Sequence, residues 1–191
     1  MKKLLIPALI IFFSNVAFAQ KDTVGLNIPF VNNTVVYERV FDAPNAPGSL
    51  LYSNAGLWFA ETHTYGGTTK LQLEDPELLR VAGGAKFSIV VPNKVLWQTN
   101  YDTYTYNFTL RIDCKDNKYR IRIYNIQDMT GTFYTPVDDM MQSLINSKSL
   151  TLATGGVIKK ESFKKCFQAL NTVIDNVMAD INKNIMADNS F

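Results

Sequence analysis

The side chains with the clearest potential chemistry are basic residues that alternate with apolar residues along β-like segments. If the apolar residues face helices, the opposite face of the sheet carries Arg80, Lys86, Arg111, Arg120, Arg122 and Tyr124. Guanidinium groups bind carboxylates, phosphates or sugars through forked N–H donors, and stacking on a tyrosine ring adds to such binding. In this pattern only Asp113 clearly offsets the positive charges.

A second interpretation of the same residues requires no ligand. Open faces of antiparallel sheets commonly carry long charged side chains that keep the surface soluble. The pattern favours this solvated face over an anion-binding face, and it leaves both open.

No arrangement of residues in the sequence predicts catalysis. His63 is the sole histidine, and neither an orienting carboxylate nor a nucleophile can be assigned to it. A hydrolase with dispersed acids such as Glu38, Glu61 or Asp75 would need two carboxylates within about 10 Å of each other. One histidine and two separated cysteines also exclude the usual spacings of structural zinc sites. We therefore predict no catalytic residue, no metal and no cofactor.

The two cysteines, Cys114 and Cys166, fall on positions that the apolar pattern assigns to the core. An exported chain can form a disulfide, and one bridge would tie the last helix to the sheet. The alternative is two buried free thiols that behave as small apolar residues.

The first residues have the pattern of a signal peptide. Lys2 and Lys3 precede the apolar run Leu4–Phe13, and Ala17-Phe18-Ala19 forms a small-x-small cleavage site. Removal of residues 1–19 reduces the basic residues from 19 to 17, which equals the 17 acidic residues. The apolar run is shorter than the ~20 residues of a spanning helix. We therefore predict an exported protein, periplasmic or secreted, that does not span the membrane.

The remaining sequence predicts one α+β domain. An extended segment covers 20–33 and the domain covers 34–191, including a long C-terminal helix. The predicted order is a strand over 34–42, a helix over 50–63, strands over 70–73 and 79–91, a loop over 92–100, strands over 104–114 and 119–126, a helix over 137–146 and a helix over 159–188. Gly83-Gly84 suggests a bulge or bend in its strand.

Two local patterns carry most of this prediction. A two-residue turn at Asp116-Asn117 pairs Cys114 with Tyr119, and it pairs Asp113 with Arg120 on the other face. In the last helix, apolar residues form one stripe from Phe163 to Ile185. A helix of ~28 residues is about 42 Å long, whereas a five-stranded sheet is about 24 Å wide. We therefore expect the helix end to overhang, fray or meet a partner.

Three stretches resemble one protein family. They are Leu26–Glu61 (LNIPFVNNTVVYERVFDAPNAPGSLLYSNAGLWFAE), LEDPELLRVAGGAKFSI over 73–89, and the hairpin YNFTLRIDCKDNKYRIRIYNI over 106–126. The sequence resembles a family of exported Gram-negative bacterial proteins known as a domain of unknown function with a TBP-like fold. The resemblance implies a two-layer fold, a curved antiparallel sheet of about five strands with helices on one face. It implies no activity and no site residues.

We therefore expect an exported, non-enzymatic domain that binds a ligand or protein partner in the cell envelope. The partner would be an envelope protein, a glycan or an anionic small molecule. Nucleic acid is disfavoured by export and by the zero net charge of the mature chain. The alternatives are a structural or assembly protein that docks through its C-terminal helix and, less favoured, a hydrolase with dispersed carboxylates.

Overall fold

The computed structural model describes residues 26–61, 67–95, 97–130, 134–146, 149–151 and 157–187. The three helices are α1 (Gly48–Ala60), α2 (Val137–Asn146) and α3 (Lys160–Ile185). The strands are β1 (Phe30–Val31), β2 (Thr34–Val35), β3 (Tyr37–Asp42), β4 (Thr68–Asp75), β5 (Arg80–Val95), β6 (Gln98–Lys115), β7 (Lys118–Asp128), β8 (Thr135–Pro136), β9 (Ser149–Thr151) and β10 (Val157–Lys159).

Six strands form one antiparallel sheet in the order β3-β7-β6-β5-β4, with β8 paired to the end of β7. The predicted hairpin is confirmed in its register: Cys114 pairs with Tyr119, Ile112 with Ile121, and Asp113 with Arg120. The α+β class and the antiparallel sheet of the prediction are therefore confirmed, with six strands in place of about five.

Helices α1 and α3 cover one face of this sheet, because that face is apolar at every second residue. Val81, Leu110 and Ile121 from the strands are buried with Trp58 of α1 and Ile174 of α3. Trp58 stacks on Phe87 of β5 at a ring-centroid distance of 6.5 Å, and its Nε1 donates a 2.8 Å hydrogen bond to Asp180 of α3. We call this face the packed face and the opposite face the open face.

Helix α3 lies along the strands, so the predicted overhang across the sheet is wrong. Near its start Cys166 O accepts a hydrogen bond from Tyr106, and near its end Asn182 accepts one from Tyr119, which is opposite Cys114. Its 26 residues span about 39 Å, whereas the 18 residues of β6 span about 60 Å. The strand length is the relevant dimension, and it exceeds that of the helix.

Strands β5 and β6 extend through the region that the sequence predicts as a loop. Their pairing continues past Pro92, which lies opposite Tyr101, to Val95 opposite Gln98. Pairing of β4 with β5 begins at Thr68 and Lys86, so the described part of β5 beyond Lys86 pairs only with β6. Proline is tolerated there because an edge position needs no N–H donor on its outer side.

The predicted irregularity near Gly83-Gly84 lies in the neighbouring strand. The register of β4 shifts between Leu71 and Leu73, opposite Gly83 and Ala82 of β5. A Cβ on Gly83 would lie 2.3 Å from the backbone oxygen of Lys70 and 2.8 Å from the Phe59 ring. Glycine at this position therefore permits the close approach of both the bulged strand and α1.

The packed unit begins before the predicted boundary at residue 34. Leu26 and Ile28 are buried in the core, and β1 and β2 form a small hairpin about Asn32-Asn33. Both asparagines have positive φ angles, as a two-residue turn of this hand requires. The predicted signal peptide over 1–19 and His63 lie outside the described residues.

Candidate functional site

The structure places all six residues of the predicted basic face on the open face of the sheet. In β5, Arg80 lies opposite Asp113, and Lys86 lies opposite Asn107 of β6. The other members follow the same alternation, since Arg111 pairs with Arg122, Arg120 pairs with Asp113, and Tyr124 pairs with Thr109.

Four arginines form one ion-paired cluster with two carboxylates, and we call it the arginine cluster: Arg80, Arg111, Arg120, Arg122, Asp113 and Glu38. Asp113 lies at its centre. Its oxygens accept hydrogen bonds from Arg80 Nε at 2.5 Å, Arg111 Nε at 2.9 Å and Arg120 Nη2 at 2.9 Å. The Asp113 side chain is 16% exposed, so these three bonds replace most of its hydration.

The arginines control the protonation of Asp113. Burial alone would raise the pKa of this carboxyl, but the hydrogen bonds from Arg111, Arg80 and Arg120 outweigh burial and lower it below its usual range. Asp113 therefore keeps its negative charge at neutral pH.

Glu38 supplies the second negative charge of the cluster. Its Oε2 lies 2.8 Å from Arg122 Nε, and its Oε1 lies 3.7 Å from Arg120 Nη1. The Arg122 Nε–H is not directed at a hydrogen-bond acceptor, so this contact is an ion pair without an aligned hydrogen bond. Four guanidinium groups against two carboxylates leave a net charge of +2, less than the sequence pattern suggested.

Next to the cluster on the open face lies a shallow groove of about 430 Å³, which we call the polar groove. Residues of β4, β5, β6 and β7 line it: Thr68, Thr69, Lys70, Gln72, Gly84, Ala85, Lys86, Asn107, Phe108, Thr109, Asn125 and Gln127. Gly84 leaves its floor open, since a Cβ there would meet only Gln72 Nε2, at 3.5 Å.

An irregularity in β7 adds two amide side chains to this groove. The register between β6 and β7 shifts between Asn107 and Thr109, and Asn125 has a φ angle of 52°. Asparagine adopts this left-handed backbone more readily than most residues. Tyr124 and Asn125 are both at least partly exposed while Ile126 is buried, so Gln127 returns to the open face. Such bulges re-aim side chains beside functional sites.

Lys70 and Lys86 carry the only charges among the residues that line the groove. Within the part of the chain that the structure describes, no carboxylate lies within ion-pair distance of either lysine. The groove therefore combines two uncompensated cations with amide and hydroxyl groups, a donor set suited to a polar anionic ligand.

The region that contains these features matches a known protein family. Residues 37–128, which run from β3 to the end of β7, match the family described as "Domain of unknown function (DUF4468) with TBP-like fold". Over those residues, just under half of the chain, the sequence is similar to this family. The family resemblance and the TBP-like fold of the sequence prediction are thereby confirmed.

Two solved structures resemble the fold of this chain. A crystal structure of a DUF4468 family protein from Bacteroides ovatus is 15% identical with a TM-score of 0.63, and the match covers 88% of this chain and 95% of that one. A TBP-like protein from Parabacteroides distasonis is 16% identical with a TM-score of 0.56, with 83% and 96% covered. At these identities the likeness shows the fold alone. No curated protein matches the sequence.

Both cysteines are free and buried, so the structure has the two buried free thiols and not the bridge. Cys166 Sγ lies 3.4 Å from the hydroxyl of Tyr106 and donates a hydrogen bond to Asp128 Oδ2 at 3.1 Å. Cys114 lies eight residues beyond Tyr106 in β6, which is about 26 Å along the strand. The two positions share a face of the sheet but lie at opposite ends of it.

The carboxylates considered for hydrolysis do not converge in this structure. Glu38 lies in β3 and Asp75 in β4, which are opposite edges of the five-strand row and about 19 Å apart. Glu61 follows α1 on the packed side of the sheet. Among the described residues, no three His, Cys, Asp or Glu side chains group as metal ligands. None of the described helices has the length and apolar character to cross a bilayer.

Proposed function

We propose that this protein is an exported, non-enzymatic domain that binds an anionic ligand on the open face of its sheet. The observation that carries the proposal is the polar groove, in which Lys70 and Lys86 have no carboxylate partner among the described residues. The pattern of residues 1–19 supports export.

The groove is a better anion site than the arginine cluster beside it. In the cluster, Asp113 and Glu38 already occupy guanidinium donors that a ligand would need. In the groove, the two ammonium groups face hydroxyl and amide side chains. The net charge of +2 on the arginine cluster attracts an anionic ligand over a longer range. This attraction increases the ligand's association rate more than its final affinity.

Two features of the chain favour binding over the alternatives. Among the residues that the structure describes, those that line the groove include neither a carboxylate nor a histidine, so they provide no general base of the usual kinds. The apolar stripe of α3 is used inside the chain, since Ile181 and Ile185 are buried. Docking of these two residues to another protein would therefore require α3 to leave the sheet.

Charge reversal in the groove tests the proposal. The double variant Lys70→Glu/Lys86→Glu is compared with wild type on an array of uronate, sulfated, phosphorylated and neutral glycans. Because charge-assisted contacts are worth ~1.5–3 kcal/mol each, we expect the dissociation constant for an anionic ligand to rise at least about tenfold. Lys183→Glu is the matched control, because Lys183 is an exposed lysine of α3 on the other side of the sheet.

Two results contradict the binding part of the proposal. Either wild type binds no anionic member of the array, or the double variant binds as well as wild type does. Export is tested separately by fractionating cells that express the full chain, with a mature N-terminus at Gln20 expected. A full-length chain in the cytoplasm contradicts export and leaves the binding result intact.

A further inference from the structure

The open face continues past the groove onto the two-stranded part of the β5–β6 hairpin, which we call the ribbon (residues 87–95 and 98–105). Facing pairs along it are Lys86 with Asn107, Ser88 with Thr105, Val90 with Thr103, and Pro92 with Tyr101. Directly opposite residues of an antiparallel pair share a face. The groove and the outer part of the ribbon therefore form one continuous surface.

The far end of this surface exposes aromatic rings to water. Tyr101 is 69% exposed and Trp97, in the turn of the ribbon, is 100% exposed. Val90, on the same face as Tyr101, is 57% exposed. Exposed aromatic side chains beside polar residues present one apolar surface and one polar group, a combination common in binding surfaces.

We infer that the ligand is a linear acidic glycan, whose charged sugars lie in the polar groove and whose chain continues along the ribbon to Tyr101 and Trp97. This inference rests on the proposed function and names its ligand class. The rings of Tyr101 and Trp97 offer flat apolar surfaces to sugar rings, while Thr103 and Asn107 offer hydrogen bonds to hydroxyl groups.

The length of the surface defines the shortest ligand that can use all of it. From Asn107 to Tyr101 is six residues of β6, about 20 Å. A sugar ring with its bridging oxygen spans on the order of 5 Å, three to four covalent bonds of ~1.5 Å. Four units or more therefore reach from the groove to the aromatic rings, and a disaccharide does not.

A glycan fits this surface better than a polypeptide does. Away from the outer edges of β4 and of the ribbon, the backbone N–H and C=O groups of β4 to β7 bond to one another in the sheet. A peptide lying on the face would find few partners for its own backbone groups, which is why peptides usually add to a sheet edge. The hydroxyl groups of a sugar are satisfied by the threonine, asparagine and glutamine side chains that line the groove.

The experiment compares short and long uronate chains. Oligogalacturonates and oligomannuronates of two and six units are titrated calorimetrically into wild type and into the double variant Tyr101→Ala/Trp97→Ala. We expect at least one six-unit chain to bind wild type about tenfold more tightly than its two-unit form, a difference of about 1.4 kcal/mol, because only the longer chain reaches the two aromatic rings. The double variant should lose this gain and bind the two-unit form as wild type does.

Two controls accompany the titration. Tyr134→Ala is the matched variant, because Tyr134 is also 69% exposed but precedes β8, which pairs with β7 and not with the two strands of the ribbon. The chain has two tryptophans, and Trp58 is fully buried. Iodide quenching therefore reports on Trp97, and the six-unit chain should protect it where the two-unit chain does not.

Each contrary outcome has a separate meaning. If the double variant keeps the length-dependent gain, the path along the ribbon is wrong, while weakened binding in Lys70→Glu/Lys86→Glu still supports the groove. If neither uronate series binds but another anion of the array does, the glycan class is wrong and the anion site remains. If poly-glutamate binds with the same dependence on Tyr101 and Trp97, the ligand is a polypeptide and the inference is overturned.

Discussion

Gly83 and Gly84 are neighbours in β5, yet they face opposite environments. A Cβ on Gly83 would enter the packed face and lie 2.3 Å from the Lys70 backbone oxygen, whereas a Cβ on Gly84 would enter the groove and meet one amide nitrogen at 3.5 Å. On the packed face, shape determines which side chains fit, because helices and strands are in contact throughout. On the open face, charge and hydrogen bonding determine what the surface can do.

The same strand thus serves two purposes through the two-residue period of β structure. Phe87 of β5 stacks on Trp58 and Phe108 on the packed face. Lys86 and Arg80, which alternate with such residues, remain on the open face with the groove and the arginine cluster. Substitutions on the packed face should therefore change stability, and substitutions in the groove should change binding.

The largest expected effect comes from Gly83→Ala. The new methyl group would collide with the backbone of β4 and with the Phe59 ring, and neither can move without disrupting the sheet or α1. Overpacking of this kind costs about 3 kcal/mol of unfolding free energy. Urea denaturation followed by circular dichroism measures it.

Gly84→Ala is the matched control for that substitution. Its methyl group has ordinary contact distance to Gln72, and alanine loses less backbone entropy than glycine in a strand, so the unfolding free energy should change by less than about 1 kcal/mol. Equal losses in the two variants would show that the two faces are not distinguished by packing at this point.

The next effect in size concerns the arginine cluster. Asp113→Asn removes the negative charge that Arg80, Arg111 and Arg120 share. Breaking a buried ion pair costs ~3–5 kcal/mol, and partial exposure of these groups reduces this to roughly 2 kcal/mol. A loss of unfolding free energy near zero would show that the arginine cluster behaves like ordinary surface charges. The arginine cluster and the polar groove would then no longer differ in their contribution to stability.

The pH dependence of this effect has a defined sign. The pKa of Asp113 is lowered in the folded protein, so its contribution to stability is fully present above the unfolded pKa of about 4. That contribution is lost as the pH falls through the lower, folded pKa. The difference in unfolding free energy between wild type and Asp113→Asn should therefore be constant near pH 7 and shrink below pH ~4.

The β6–β7 hairpin shows what the sequence could predict. Asp113 and Cys114 lie on opposite faces with well-matched partners in Arg120 and Tyr119, so one register satisfies both faces, and the structure has that register. The ribbon shows the reverse case. Pro92 indicates a loop in isolation, because only the sheet topology shows that its outer side lies at an edge.

The candidate site, too, could be predicted from the sequence only in part. Alternation alone placed Arg80, Arg120 and Lys86 on one face, since it requires no knowledge of strand order. Glu38 was missed as a partner of Arg122 because their contact depends on β3 pairing with β7, which are more than 75 residues apart. Asn125 was missed because the irregularity in β7 that brings it to the groove leaves no periodic signal in the sequence.

The smallest expected effect belongs to an ion pair on the packed side. Arg39 Nη2 of β3 lies 3.2 Å from Asp175 Oδ1 of α3, and the two side chains are 52% and 66% exposed. Although this contact joins helix to sheet, water screens it, and exposed pairs contribute only ~0.2–1 kcal/mol. A double-mutant cycle with Arg39→Ala and Asp175→Ala should give a coupling free energy below about 0.5 kcal/mol that vanishes in 1 M salt. A coupling as large as the effect of Asp113→Asn would mean that exposure does not determine the strength of these ion pairs, and that their position in the fold does.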